Sequence, residues 1–188
     1  MALPARIVGR ETLYAGWLRL ERLLYRMPDG EVVERHLEEH GAAASVLPYN
    51  PETRTALFVS MPRAPVTQSG EPDLIEAVAG RIEDEDPQAC IRREALEEAG
   101  VRLTSLEPVL VAWSLPSIST ERNHLFLAPF SDADRVGEGG GAAGENEAIT
   151  VHALALADAW SMLETGRITD MKTVLLLQTL RIRQPQLF

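Results

Sequence analysis

Gly80-Arg81-Ile82-Glu83-Asp84-Glu85-Asp86-Pro87-Gln88-Ala89-Cys90-Ile91-Arg92-Arg93-Glu94-Ala95-Leu96-Glu97-Glu98-Ala99-Gly100-Val101 is the most informative stretch of the chain. Its second half predicts a helix over 87–99. Asp86 is a good N-cap, Pro87 sits at the first helical position, and Gly100 fits the left-handed stop. Within that helix Glu94 lies three residues before Glu97 and four before Glu98, spacings that put the carboxylates on one face. A solvated acidic face is the plain reading of such a cluster. Two features argue for more. Arg93 stands four residues before Glu97 and can hold it. The acids also crowd the C-terminal half of the helix, where the dipole disfavours negative charge. Hard divalent cations, which prefer carboxylate oxygens, would neutralise anions in that place.

Upstream of this helix, residues 74–78 read as a short strand ending at Ala79-Gly80, and 62–72, rich in Pro, Gly, Ser and Thr, as an exposed loop. Residues 42–47 and 56–59 flank the turn signal Pro48-Tyr49-Asn50-Pro51 and read as a hairpin. Towards the N-terminus, 17–21, 24–26 and 31–35 read as short strands, with Pro28-Asp29-Gly30 turning between them. They make an antiparallel sheet too small to stand alone. Downstream, 106–113, 124–129 and 149–156 read as strands, 135–144 as a Gly-rich mobile loop, and 157–165 as a helix stopped by Gly166. Asp170 caps a last helix through about residue 182. Mixed strands with interspersed helices predict an α/β sandwich on a mixed sheet.

The 188 residues suffice for one domain with a real core, or one plus a small appendage. A net charge of −10 disfavours nucleic acid and anionic membrane as partners, and repels a phosphorylated substrate unless a cation intervenes. Cys90 is the one cysteine, so no internal disulfide can form. The first ten residues lack the apolar core of a signal peptide, and no apolar run approaches the roughly 18 residues of a membrane span. A cytoplasmic protein is the expectation.

The stretch from Gly80 to Val101 resembles the Nudix box. From Glu85 onward it matches every fixed position of that pattern, Glu, seven spacers, Arg-Glu, an apolar residue, a spacer, Glu-Glu, a spacer, Gly and an apolar residue. The loop between Gly80 and Glu85 is one residue shorter than the pattern; alternatively Asp86 replaces the first Glu. The resemblance extends to the nucleotide-sugar branch of the family, the GDP-mannose hydrolases and ADP-ribose pyrophosphatases. It is carried by residues 76–80, by Gly139-Gly140-Gly141 with Glu145-Asn146-Glu147, and by 166–177. It implies a Nudix-type α/β/α sandwich over 41–188, with 1–40 forming the small antiparallel sheet and serving a homodimer.

The resemblance also implies roles. Glu94 and Glu98, with the Ala79 carbonyl, would bind Mg²⁺ or Mn²⁺. Glu97 would be a further or outer ligand oriented by Arg93. Glu147 would be a metal ligand or general base; a solvated loop acid is its plainer reading. Bound metal would neutralise the diphosphate and activate the attacking water. Arg63 matches the last residue of a phosphate-contacting Arg-Gln-Phe-Arg segment, written here Ser60-Met61-Pro62-Arg63, so the first Arg and the Gln are gone. Glu76 would orient phosphate-binding groups or is a strand-end surface acid. Trp17 would stack on a base across a dimer, or is plain core or interface filler. His124 reads as a strand residue and Cys90 as packing. The implied reaction is Mg²⁺-dependent hydrolysis of a nucleoside diphosphate sugar to a nucleoside monophosphate and a sugar phosphate. A broad-range nucleotide housecleaning hydrolase is the rival enzyme, and a non-catalytic nucleotide-sugar sensor the rival of another class.

Overall fold

A computed structural model describes residues 4–142, 144 and 148–188. The chain divides into two compact units, 1–42 with 112–123, and 43–111 with 124–188.

The first unit is built on three strands, β1 (Arg6–Ala15), β2 (Arg19–Arg26) and β3 (Val32–Glu39), antiparallel and in that order. The expected turn is present: the Met27 amide donates to the Glu31 carbonyl at 2.8 Å. The two short stretches expected at 17–21 and 24–26 are one strand, β2, and Trp17-Leu18 belongs instead to the turn before it, closed by the Gly16 amide on the Leu18 carbonyl. β1 escapes pattern reading because it is exposed almost throughout and so has no apolar alternation. Cross-strand charge pairs, Arg10 with Glu21 and Arg22 with Glu11, hold it to β2. Residues 112–123 join through the Glu38 amide on the Ile118 carbonyl (2.9 Å) and the Thr120 amide on the Glu38 carbonyl (3.2 Å).

The second unit carries β4 (Ala42–Asn50), β5 (Thr55–Ser60), α1 (Ala64–Gln68), β6 (Val78–Ile82) and α2 (Pro87–Ala99). After them come β7 (Glu107–Trp113), β8 (Arg122–Pro129), β9 (Thr150–Ala155), α3 (Leu156–Glu164) and α4 (Met171–Arg183). A mixed six-stranded sheet runs β7-β8-β4-β5-β9, with β6 also on β4. β4 is buried along most of its length, as a central strand covered on both faces must be. On one face Ala44, Val46, Leu57, Val59, Phe126 and Ala128 meet Cys90, Ile91, Ala95 and Ala99 of α2. Strand alternation sends Leu47, Phe58 and Leu127 to the other face, where α3 and α4 supply Leu156, Leu176, Leu177 and Leu180, all fully buried. This is the expected α/β/α sandwich.

Several local expectations are corrected. Pro48 to Asn50 continues β4; the turn comes at 51–54, nucleated by the Asn50 side chain accepting from the amides of Glu52 (2.9 Å) and Thr53 (3.2 Å). The stretch 62–72 contains α1, started by Pro65 in its first turn. Glu76 makes only a bridge to Val59, and the strand runs 78–82. The glycine-rich stretch expected to be mobile is tied down over 136–141 by backbone bonds to the end of α2. Among the described residues no helix is long and apolar enough to cross a membrane.

Candidate active site

α2 begins and ends as its caps dictate. The Asp86 carboxylate accepts from the Gln88 and Ala89 amides, and Gly100 takes the left-handed conformation at φ 64°. Its apolar stripe docks on the sheet, which turns the strip bearing Glu94 and Glu98 towards β6. There the chain has no side chain to interpose: a β-carbon at Gly80 would collide with the Glu94 carboxylate. One residue earlier, the Ala79 amide donates to Glu98 Oε2 at 3.3 Å. Glu98 is only 3% exposed. A carboxylate is rarely buried so fully without compensating partners.

Arg93 lies on the outer side of the cluster. Its guanidinium reaches Glu85 at 2.7 Å, Glu97 at 2.9 Å and Glu94 at 3.0 Å. The expected hold on Glu97 is present. Glu85, the first acid of the motif, is a partner that spacing alone did not reveal. Its hydrogen bond pushes the Arg93 pKa up, with Glu94 and Glu97 adding to the rise against partial desolvation. Cys90, on the buried side, donates its thiol to the Arg81 carbonyl (3.4 Å), and burial raises its pKa to about 12. It is an inert packing residue, as expected.

A second cluster stands on Glu76, which is buried. Arg63 grips it with a forked pair of hydrogen bonds at 2.8 and 3.1 Å, and Lys172 reaches its other side at 2.5 Å. Lys172 also pairs with Asp170 at 3.0 Å, while Asp170 caps α4 through the Thr173 amide at 3.0 Å. Burial alone would raise the Glu76 pKa; the Arg63 hydrogen bonds and the Lys172 charge outweigh it and hold the carboxyl below its ordinary value. Glu76 is therefore no strand-end surface acid. Burial works against the Arg63 cation, and Glu76 more than offsets that, with Glu98 and Asp170 contributing further. The charges of the two clusters thus act on one another. Lys172 was missed in the sequence. Its signal was a cation in the first turn of a helix, where the dipole disfavours one.

In the first unit Trp17 is 71% exposed and stacks on His40, ring centroids 5.5 Å apart at 19°. His124 is a residue of β8, as expected. Glu147 lies outside the described residues.

The oxygens gathered here suit a hard divalent cation in kind: the Glu94 and Glu98 carboxylates one turn apart, against bare backbone at 79–80. Among the described residues no group of three His, Cys, Asp or Glu side chains closes on one point, and Glu97 is drawn towards Arg93. Glu94, Glu98 and the 79 carbonyl are the groups that could hold the ion.

A family model described as NUDIX domain matches residues 39–177. The GDP-mannose pyrophosphatase of Cronobacter sakazakii is 38% identical, over 97% of this chain and 98% of the relative. That of Klebsiella pneumoniae is 35% identical, over 96% and 93%. A crystal structure of an ADP compounds hydrolase shares the fold, with a TM-score of 0.80 over 99% of this chain and 97% of that one, at 16% identity. By its family match, its near full-length relatives and its fold, the chain belongs to the NUDIX family.

Proposed function

We propose that this protein is a Mg²⁺-dependent pyrophosphatase that cleaves the diphosphate of a nucleoside diphosphate sugar into a nucleoside monophosphate and a sugar phosphate. GDP-mannose is the first substrate and ADP-ribose the second. The observation that carries the reading is the buried Glu98 beside Glu94 and the bare backbone at 79–80, in a chain whose relatives are GDP-mannose pyrophosphatases over nearly their whole length.

NUDIX hydrolases generally use divalent metals such as Mg²⁺. In this reading Glu94, Glu98 and the Ala79 carbonyl hold the ion, Mg²⁺ or Mn²⁺. The bound ion supplies charge neutralisation at the diphosphate and a lowered pKa for the attacking water. The rest falls to the protein's own groups. Arg93 orients Glu97 beside the cluster, where Glu97 serves as outer ligand or proton acceptor; Glu147 is the other candidate for that proton. Glu76 holds Arg63 and Lys172 in fixed places facing the phosphates, so that two flexible cations need not be ordered at the moment of binding.

The small N-terminal sheet is read as the dimerisation element, because Ile7, Val8, Leu13, Tyr14 and Leu24 of β1 and β2 are exposed. Trp17 is read as the base-stacking residue offered across that dimer.

Product analysis against a nucleotide-sugar panel, with and without Mg²⁺, tests the reading. Release of nucleoside monophosphate from GDP-mannose in Mg²⁺ alone is expected. Turnover that survives exhaustive chelation overturns the metal assignment, and tight binding without cleavage would move the protein to the sensor class.

A further inference from the structure

The last turn of a helix leaves carbonyls without partners inside the helix. At the end of α2 a loop meets two of them and the carbonyl of the capping glycine. The Gly141 amide donates to the Glu97 carbonyl (3.0 Å), the Gly140 amide to the Glu98 carbonyl (2.9 Å), and the Val136 and Gly137 amides to the Gly100 carbonyl (2.9 and 3.1 Å). One short loop therefore grips the backbone of the two acids that close the motif. The approach is close enough to exclude any side chain at its centre. A β-carbon on Gly139 would collide with the Glu98 carbonyl, and Gly139 also sits at φ 76°, where L side chains are strained.

We propose that Gly139 is a positioning residue. By letting the loop lie on the Glu98 carbonyl, it clamps the acid-bearing turn of α2 and so fixes where the Glu98 carboxylate stands relative to Ala79. This inference rests on the reading of Glu98 as a metal-holding group.

Gly140 supplies a matched control. Its φ of 105° imposes similar backbone strain on alanine, but a β-carbon there meets nothing nearer than the Ile149 carbonyl at 3.9 Å. Both Gly139→Ala and Gly140→Ala keep the loop's donor amides and both strain the backbone, so the collision is the main difference between them. The experiment is Mn²⁺ binding to the full-length protein without substrate, followed by electron paramagnetic resonance, for the parent, both glycine variants and Glu98→Gln, together with steady-state kinetics.

Gly139→Ala is expected to weaken Mn²⁺ binding and to lower kcat by about tenfold or more, as small misplacements of catalytic groups do, while KM stays within about twofold. Gly140→Ala, strained but free of the collision, should lose clearly less than Gly139→Ala in both. Equal Mn²⁺ affinity in Gly139→Ala and Gly140→Ala, with Glu98→Gln clearly weakened, overturns the clamp and leaves the metal reading standing. Parent-like Mn²⁺ binding in Glu98→Gln overturns both. Amide hydrogen exchange of the parent decides the matter even if Gly139→Ala fails to fold. The amides of Gly140 and Gly141 should be protected to the level of the α2 interior, and exchange at the rate of an open loop would overturn the proposal.

Discussion

Glu76→Gln is the substitution whose magnitude follows most directly from the structure. The side chain keeps its shape and loses the charge that two cations share. Stranding a fully buried partner costs ~3–5 kcal/mol, but neither cation here is stranded so completely. Arg63 is 40% exposed and can turn to water, so its loss follows the rule for surface pairs, ~0–1 kcal/mol. Lys172 is 16% exposed and retains Asp170 at 3.0 Å, which leaves roughly the value of one charged hydrogen bond, about 1.5 kcal/mol. The expected loss is therefore about 2 kcal/mol, or about 4–8 °C in Tm for a chain of this size. The pH dependence carries a sign. Because the folded pKa of Glu76 lies below its ordinary 4.5, its contribution is fully present above that value and fades as pH falls through the lower folded one. Urea titrations of the parent and Glu76→Gln should thus differ by a constant amount above about pH 5.5 and converge in more acidic buffer. Activity should fall with stability corrected for, chiefly through KM, since freed Arg63 and Lys172 must be ordered on binding. Equal midpoints for the two proteins at pH 7, or a gap that widens in acid, would refute the assignment of Glu76 as an ionised hub.

Glu94→Gln and Glu98→Gln should each lower kcat at least roughly a hundredfold, a barrier rise of about 2.7 kcal/mol. Their metal-free thermal stability should hold or rise as repulsion eases, while the stabilisation given by Mg²⁺ shrinks; parent-like kinetics in both would remove the site. Light scattering at micromolar concentration should report a homodimer, and charged substitutions at Leu13 and Tyr14 should dissociate it; an active parental monomer would refute the role given to the N-terminal sheet.

What could be read from the chain was what local chemistry decides. The α2 boundaries came out to the residue because Asp86, Pro87 and Gly100 act within one turn of themselves. The same holds for Asp170 at the start of α4. The acid face was legible because spacing of three and four is a property of one helix. What failed needed partners far along the chain. Glu76 finds Arg63 thirteen residues back and Lys172 ninety-six ahead, and no periodicity links them. The stretch 136–141 looked mobile because glycine is locally permissive, yet that freedom is what lets it lie against α2. β1 was invisible because its pairing rests on charges and backbone and not on an apolar face. The hairpin turn lies three residues beyond the Pro48 signal because the side chain of Asn50, and not the proline, builds it.

The two clusters of the site divide the electrostatic work in a way that narrows the functional choices. Around Glu76 two cations face two carboxylates, Arg63 and Lys172 against Glu76 and Asp170, so that cluster is neutral as a whole. Three carboxylates of α2, Glu94, Glu97 and Glu98, and Glu85 just before it gather around Arg93 and the Ala79 amide. The described site is thus net negative, on a chain of net charge −10. Unit charges about 4 Å apart at a protein surface interact by roughly 4 kcal/mol. A diphosphate entering such a site meets net repulsion that Arg63 and Lys172, already matched by their own acids, do not overcome. Affinity for the anion is therefore conditional on added positive charge, whether the protein cleaves its ligand or only senses it. A sensor freed from catalysis would relieve that repulsion most simply by losing acids from α2. This chain keeps all of them, and it buries Glu98 at the cost of desolvating a carboxylate. Retaining a burden that simple binding would be better without is the strongest physical argument that the site cleaves.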